Sequence, residues 1–102
     1  MRKSRNKTAS IPAEIKTSLD LPPLWGRLGF LSPEEAEVIS HFELRTGKIV
    51  ALGFELGRAR FEEVRGRIDK AMRDGDGYFT YSISFLAPEQ RALIRTAIEQ
   101  SL

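Results

Sequence analysis

Four of the first seven residues are basic: Arg2, Lys3, Arg5 and Lys7. A cluster of that density makes a cationic arm suited to phosphate or another acidic surface. The alternative that charge alone allows is a solvated, disordered terminus. Other residues able to do chemistry are sparse. Cys is absent, which excludes disulfides and thiolate metal sites, and the single histidine, His41, excludes multi-histidine centres. Ser40 and His41 are adjacent, so on a strand their side chains face opposite ways, the wrong arrangement for a nucleophile and its base. Neither a Walker-type phosphate loop nor a Gly-x-Ser-x-Gly elbow is present. The sequence therefore reads as a non-enzyme.

Ser32-Pro33-Glu34-Glu35 has the pattern of a capping box, with Ser as N-cap, Pro at the first helical position and Glu at the third. It predicts a short helical turn. Arg58, Arg60, Arg65 and Arg67 are interleaved with Glu55, Glu62, Glu63 and Asp69, the composition of a solvated, ion-paired face. His41 reads as a surface or hydrogen-bonded histidine, and Trp25 as a residue packed against the body of the fold.

The scaffold must be small. A chain of 102 residues holds one domain. The net charge of +2 is an N-terminal feature: residues 1–31 carry six bases against two acids, residues 32–76 eight against ten, and residues 77–102 two against two. No apolar run approaches the length of a bilayer span, and no signal-peptide core follows the basic start. The expectation is a soluble, cytoplasmic protein, monomer or homodimer, with a basic arm over residues 1–10 and one domain over 11–102.

The central stretch supports two readings. As a helix, Val50, Phe54, Gly57, Phe61, Val64, Ile68 and Ala71 form a heptad stripe. That helix would hold Gly53, Gly57 and Gly66 in its interior, each costing about 1 kcal/mol relative to Ala, with arginines repelling along its flanks. As strands, the glycines become punctuation. Val50, Leu52, Phe54 and Leu56 alternate with smaller or polar residues, and residues 38–56 read as a hairpin about Thr46-Gly47. Phe61–Met72 reads as a further strand with Val64, Gly66 and Ile68 on one face. A turn at Asp74-Gly75-Asp76-Gly77 leads into Tyr78–Leu86, where Phe79, Tyr81, Ile83 and Phe85 share a face. Ile11, Ala13 and Ile15 suggest a first strand, and Leu24–Phe30 a second. Pro88 opens a helix, to about residue 101, with Leu93, Ile94, Ala97, Ile98 and Leu102 as its apolar stripe. The composition favours the strands. The fold class is all-β, a small six-stranded antiparallel, split β-barrel with a C-terminal α-helix.

The strand order and three segments resemble the PilZ domain family. Gly47-Lys48-Ile49-Val50-Ala51-Leu52-Gly53-Phe54-Glu55-Leu56 is similar to that family's glycine-led strand. Val64-Arg65-Gly66-Arg67-Ile68 is similar to the strand that follows it. Tyr81-Ser82-Ile83-Ser84-Phe85-Leu86 with Pro88-Glu89-Gln90 is similar to the last strand and helix start. The resemblance implies a receptor for the bacterial second messenger cyclic di-GMP. Family members carry Arg-x-x-x-Arg in an N-terminal loop, where arginine bonds guanine edges and phosphate bidentately, and Asp/Asn-x-Ser-x-x-Gly at a strand end. Here both motifs are altered. Arg2 and Arg5 are three apart, with Lys3 and Lys7 beside them. In the second motif Ser32 is kept, while Phe30 replaces the acid and Glu35 the glycine. The ligand-binding residues implied by the resemblance are Arg2, Lys3, Arg5, Lys7 and Ser32.

Three functions compete on these residues. One is a cyclic di-GMP receptor or adaptor acting through a protein partner. Another is a degenerate PilZ-type interaction module that binds no nucleotide. The third, outside signalling, is a small DNA-binding accessory protein, recognisable by a steep fall of duplex affinity with salt.

Overall fold

The computed structural model describes residues 7–101. It contains six strands and one helix: β1 (Lys7–Lys16), β2 (Leu24–Leu31), β3 (Glu35–Ser40), β4 (Ile49–Leu56), β5 (Ala59–Arg73), β6 (Phe79–Phe85) and α1 (Pro88–Ser101). The strands close into an antiparallel barrel in the order β1-β2-β3-β6-β5-β4. Two three-stranded meanders, β1-β2-β3 and β4-β5-β6, thus meet along two seams. The β3–β6 seam runs from Glu35↔Ser84 to Ser40↔Phe79. The β1–β4 seam is shorter, from Ala13↔Phe54 to Lys16↔Ala51. Pro12, next along β1, has no N–H to extend it.

Alternation fills the barrel. Ala13 and Ile15, Leu28 and Leu31, Ala36 and Val38, Val50, Leu52, Phe54 and Leu56, Val64 and Ile68, and Tyr81, Ile83 and Phe85 are all buried. The strand reading of residues 49–73 therefore holds and the heptad reading does not. Gly57, with φ 61°, turns the chain from β4 into β5 where a helix would need a continuous right-handed backbone.

Both ends of the barrel are stopped. At one end α1 inserts Ile94, Ala97 and Ile98 into the core. Leu93 of the expected stripe is 60% exposed, because the helix touches the barrel along a narrower line than its apolar residues suggest; Leu102 lies outside the described residues. The Gln90 amide fastens the helix start to β5, accepting from the Arg65 N–H at 3.0 Å and donating to the Glu63 carbonyl at 2.7 Å.

At the other end the chain between β3 and β4, residues 41–48, crosses the mouth. This corrects the expected hairpin over residues 38–56: β3 is bonded to β2 and β6, and β4 to β1 and β5. The Thr46-Gly47 turn exists, with Gly47 at φ 86°. It serves a different partner, since the Gly47 N–H donates to the Ile68 carbonyl at 2.6 Å and starts β4 beside β5. The crossing is pinned from inside by Tyr81, whose hydroxyl accepts from the Leu44 N–H at 2.7 Å and donates to the Phe42 carbonyl at 2.6 Å. Burial pushes the Tyr81 phenol above its ordinary value of 10.0, so the neutral form is the one the fold stabilises. That contribution is complete below the ordinary value and is lost as pH rises through the higher folded one. Tyr81→Phe removes both bonds and strands a backbone donor and acceptor. It is expected to cost about 1–2 kcal/mol in thermal unfolding, with faster hydrogen exchange at the Leu44 amide.

Candidate functional site

Ser32 sits in the turn joining β2 to β3 and is 3% exposed. Its hydroxyl accepts from the N–H groups of Glu34 (3.3 Å) and Glu35 (3.2 Å) and donates to the Glu35 carbonyl (3.2 Å). The Ser32 N–H also donates to that carbonyl, at 2.9 Å. These are the local bonds expected of a capping serine, but no helix follows. The correction has a physical basis: Ala36 and Val38 alternate into the core, and the backbone of β3 finds partners on both sides. Around the turn, Phe30 is half-buried and Glu35 exposed. The Glu34 carbonyl accepts from the Phe85 N–H at 2.9 Å, and its carboxylate pairs with Arg95 of α1 at 3.1 Å.

The register of β1 on β2 sets Lys7 opposite Leu31 and Thr8 opposite Phe30. The backbone of Lys7 therefore lies beside the Ser32 turn. Arg2, Lys3 and Arg5 lie outside the described residues.

Ser40 and His41 form no dyad. The Ser40 hydroxyl donates to the Trp25 carbonyl (3.1 Å) and accepts from the Phe42 N–H (3.2 Å). His41 is exposed, with its ring 4.0 Å from that of Tyr78. The arginine face is largely as expected: Arg60 lies near Glu55 and Glu62, and Arg67 pairs with Asp69 at 2.9 Å, while Glu63 is taken by Lys16 at 3.0 Å. A hydrogen bond from Ser84, and then Arg67, hold the Asp69 carboxyl below its usual range. Among the described residues no group of three or more His, Asp or Glu side chains is placed to hold a metal. No helix among them is long and apolar enough to cross a membrane.

Trp25 departs from expectation: it is 59% exposed on the outer wall. Its parity in β2 matches that of exposed Arg27 and opposes that of buried Leu28, a signal the sequence carried. It borders a groove of about 600 Å³ where β1 diverges from the β4–β5 hairpin beyond Pro12.

No protein-family model matches this sequence. No curated protein is similar to it by sequence search. Solved structures do match. The PilZ domain of YcgR from Escherichia coli, described with c-di-GMP, superposes with a TM-score of 0.70 at 16% identity, covering 94% of this chain and 87% of that one. The PilZ domain of CeSA from a cellulose-synthesising bacterium gives 0.65 at 19% identity, covering 95% and 97%. The inhibitor of motility MotI/DgrA of Bacillus subtilis gives 0.64 at 13% identity over 98% of this chain, which spans 52% of that protein. The fold is that of a PilZ domain.

Proposed function

We propose that this PilZ-fold chain is a receptor or adaptor in cyclic di-GMP signalling that acts through a protein partner. The observation that carries the reading is the β1–β2 register. It sets the backbone of Lys7, the last base of the N-terminal cluster, opposite Leu31 and so beside the Ser32 turn. The arm supplies what a cyclic dinucleotide needs: the Arg2 and Arg5 forks for guanine edges and phosphate, and Lys3 and Lys7 as point charges. The E. coli domain with this fold is described with the same ligand.

A second reading, a PilZ-type interaction module without nucleotide, draws on the turn itself. The Ser32 hydroxyl already makes three hydrogen bonds within the turn, and the exposed carboxylate of Glu35 beside it would repel a phosphate. A DNA-binding role is disfavoured by a surface whose arginines alternate with acids.

Calorimetric titration of cyclic di-GMP into the full chain separates the first two readings. The receptor reading expects a binding heat that disappears when residues 1–6 are deleted, while the melting temperature holds because β1 is left whole. Arg5→Ala is expected to weaken binding by about 1–3 kcal/mol. Absence of heat from the intact chain at high micromolar nucleotide overturns the receptor reading and leaves the interaction module.

A further inference from the structure

The groove beside Trp25 has a chemistry unlike that of the basic arm. Its charged lining is three carboxylates, Glu14, Glu55 and Glu62, against Lys16 and Arg60, with Ser10 as a neutral polar neighbour. Both cations are engaged: Lys16 donates to Glu63 at 3.0 Å, and Arg60 lies 3.4 Å from Glu62 and 4.0 Å from Glu55. Glu14 makes no ion pair among the described residues. It stands between two neighbours on adjoining strands, Trp25 on one side and Gly53 on the other.

Gly53 turns this into a notch. A side-chain carbon at that position would lie 3.4 Å from Glu14 Oε1, 3.4 Å from the Glu62 carbonyl oxygen and 3.5 Å from that of Phe61. Three oxygens, one of them charged, stand at contact distance around the position a side chain would take, so the glycine leaves them uncovered toward the groove, and no hydrogen-bond donor lies among these nearest atoms. The exposed Trp25 also lines the groove, and an indole is the aromatic ring that attracts a cation best. Phosphate and nucleic acid are repelled by the same lining.

We propose that this groove docks an extended, basic segment of a protein partner, with an arginine or lysine side chain entering the Gly53 notch between Glu14 and Trp25. The cation replaces a hydration shell with carboxylate and carbonyl oxygens and stacks on the indole. The opening of β1 from β4 beyond Pro12 gives the peptide backbone room to lie along the wall. This deepens the adaptor reading, on which it rests for the existence of a partner, and supplies that partner's chemistry.

Trp25 is the only tryptophan, so its fluorescence reports the groove directly. The probe is an acetylated, amidated Gly-Arg-Gly-Arg-Gly peptide titrated into the full chain, with the Glu-for-Arg peptide as counterpart. The basic peptide is expected to give a saturable change that weakens with added salt, and the acidic one none. Glu14→Gln is expected to weaken the basic peptide about fivefold or more. Gly53→Ala, whose added carbon makes ordinary contacts, fills the notch and should weaken it similarly with an unchanged circular dichroism spectrum. Absence of saturation in the parent chain, or equal affinity in both variants, overturns the proposal. The cyclic di-GMP heat of Glu14→Gln is measured alongside. If it matches the parent while peptide binding is lost, the two sites are separate, and failure of one reading leaves the other standing.

Discussion

Phe85→Ala is expected to destabilise the domain by about 3–5 kcal/mol, a large share of what a domain this size possesses. Phe85 is 0% exposed, on β6 where the barrel meets α1. Its backbone bonds do not depend on its ring: the N–H donates to the Glu34 carbonyl at 2.9 Å, and the carbonyl accepts from Arg91 at 2.6 Å and 2.9 Å. Truncation therefore leaves the hydrogen bonding intact and empties the space the ring filled, so the measured loss is one of packing. Urea denaturation should show a lower midpoint at an unchanged slope. Phe42→Ala, at a ring 46% exposed, is the matched control and should lose far less. A loss at Phe85 under about 1 kcal/mol would mean that this end of the core collapses around the gap.

Gly66→Ala is the second large effect, and adds one carbon where Phe85→Ala removes the six of the ring. Gly66 faces inward from β5, and an added carbon there would run into the Ile83 side chain and lie 3.1 Å from the Ser84 carbonyl oxygen. The oxygen is held in the β5–β6 ladder and has little freedom to retreat. Overpacking of this kind costs about 1–3 kcal/mol, and the backbone contact places Gly66→Ala toward the upper end. Gly75→Ala, in the β5–β6 turn with nothing within 4 Å, adds the same atom to open space and should be neutral or slightly stabilising. Equal melting temperatures for the two variants would contradict the packing at Gly66.

The elements of this fold were legible because they are local. Tyr81, Ile83 and Phe85 alternate inward as their spacing predicts, and Asp74–Gly77 turns the chain as its residues predict. Pairing was less legible, because alternation says which face a strand buries and nothing about its neighbour. Val38 fits equally against β4 or β6, and only the closed barrel decides for β6. Ser32 shows the same limit at smaller scale: its hydroxyl makes the same bonds in a helix cap and in this turn, and the continuation at Ala36 decides. Of the candidate ligand residues, the register brings the backbone of Lys7 beside Ser32, whose hydroxyl is already occupied within its own turn, and Arg2, Lys3 and Arg5 lie outside the described residues. The groove was harder to foresee, since Glu14, Trp25 and Gly53 are brought together by strand register across long separations in the chain.

The two-meander construction bears on how the chain reaches its native state. Within each meander every strand pairs with its neighbour in sequence, so the loops to be closed are short and each half can form early. The seams are different: Ala13 must find Phe54, and Val38 must find Tyr81, each across some forty residues of chain. Loop closure of that length is met before the contacts repay it, which places the barrier at joining the halves and the folding time in the millisecond-to-second range typical of non-local β-proteins. Nucleus residues should then cluster at the seams, with Ala13, Val38, Phe54 and Tyr81 slowing folding when truncated. Leu56, at the tip of the β4–β5 hairpin, should act mainly on the rate of unfolding.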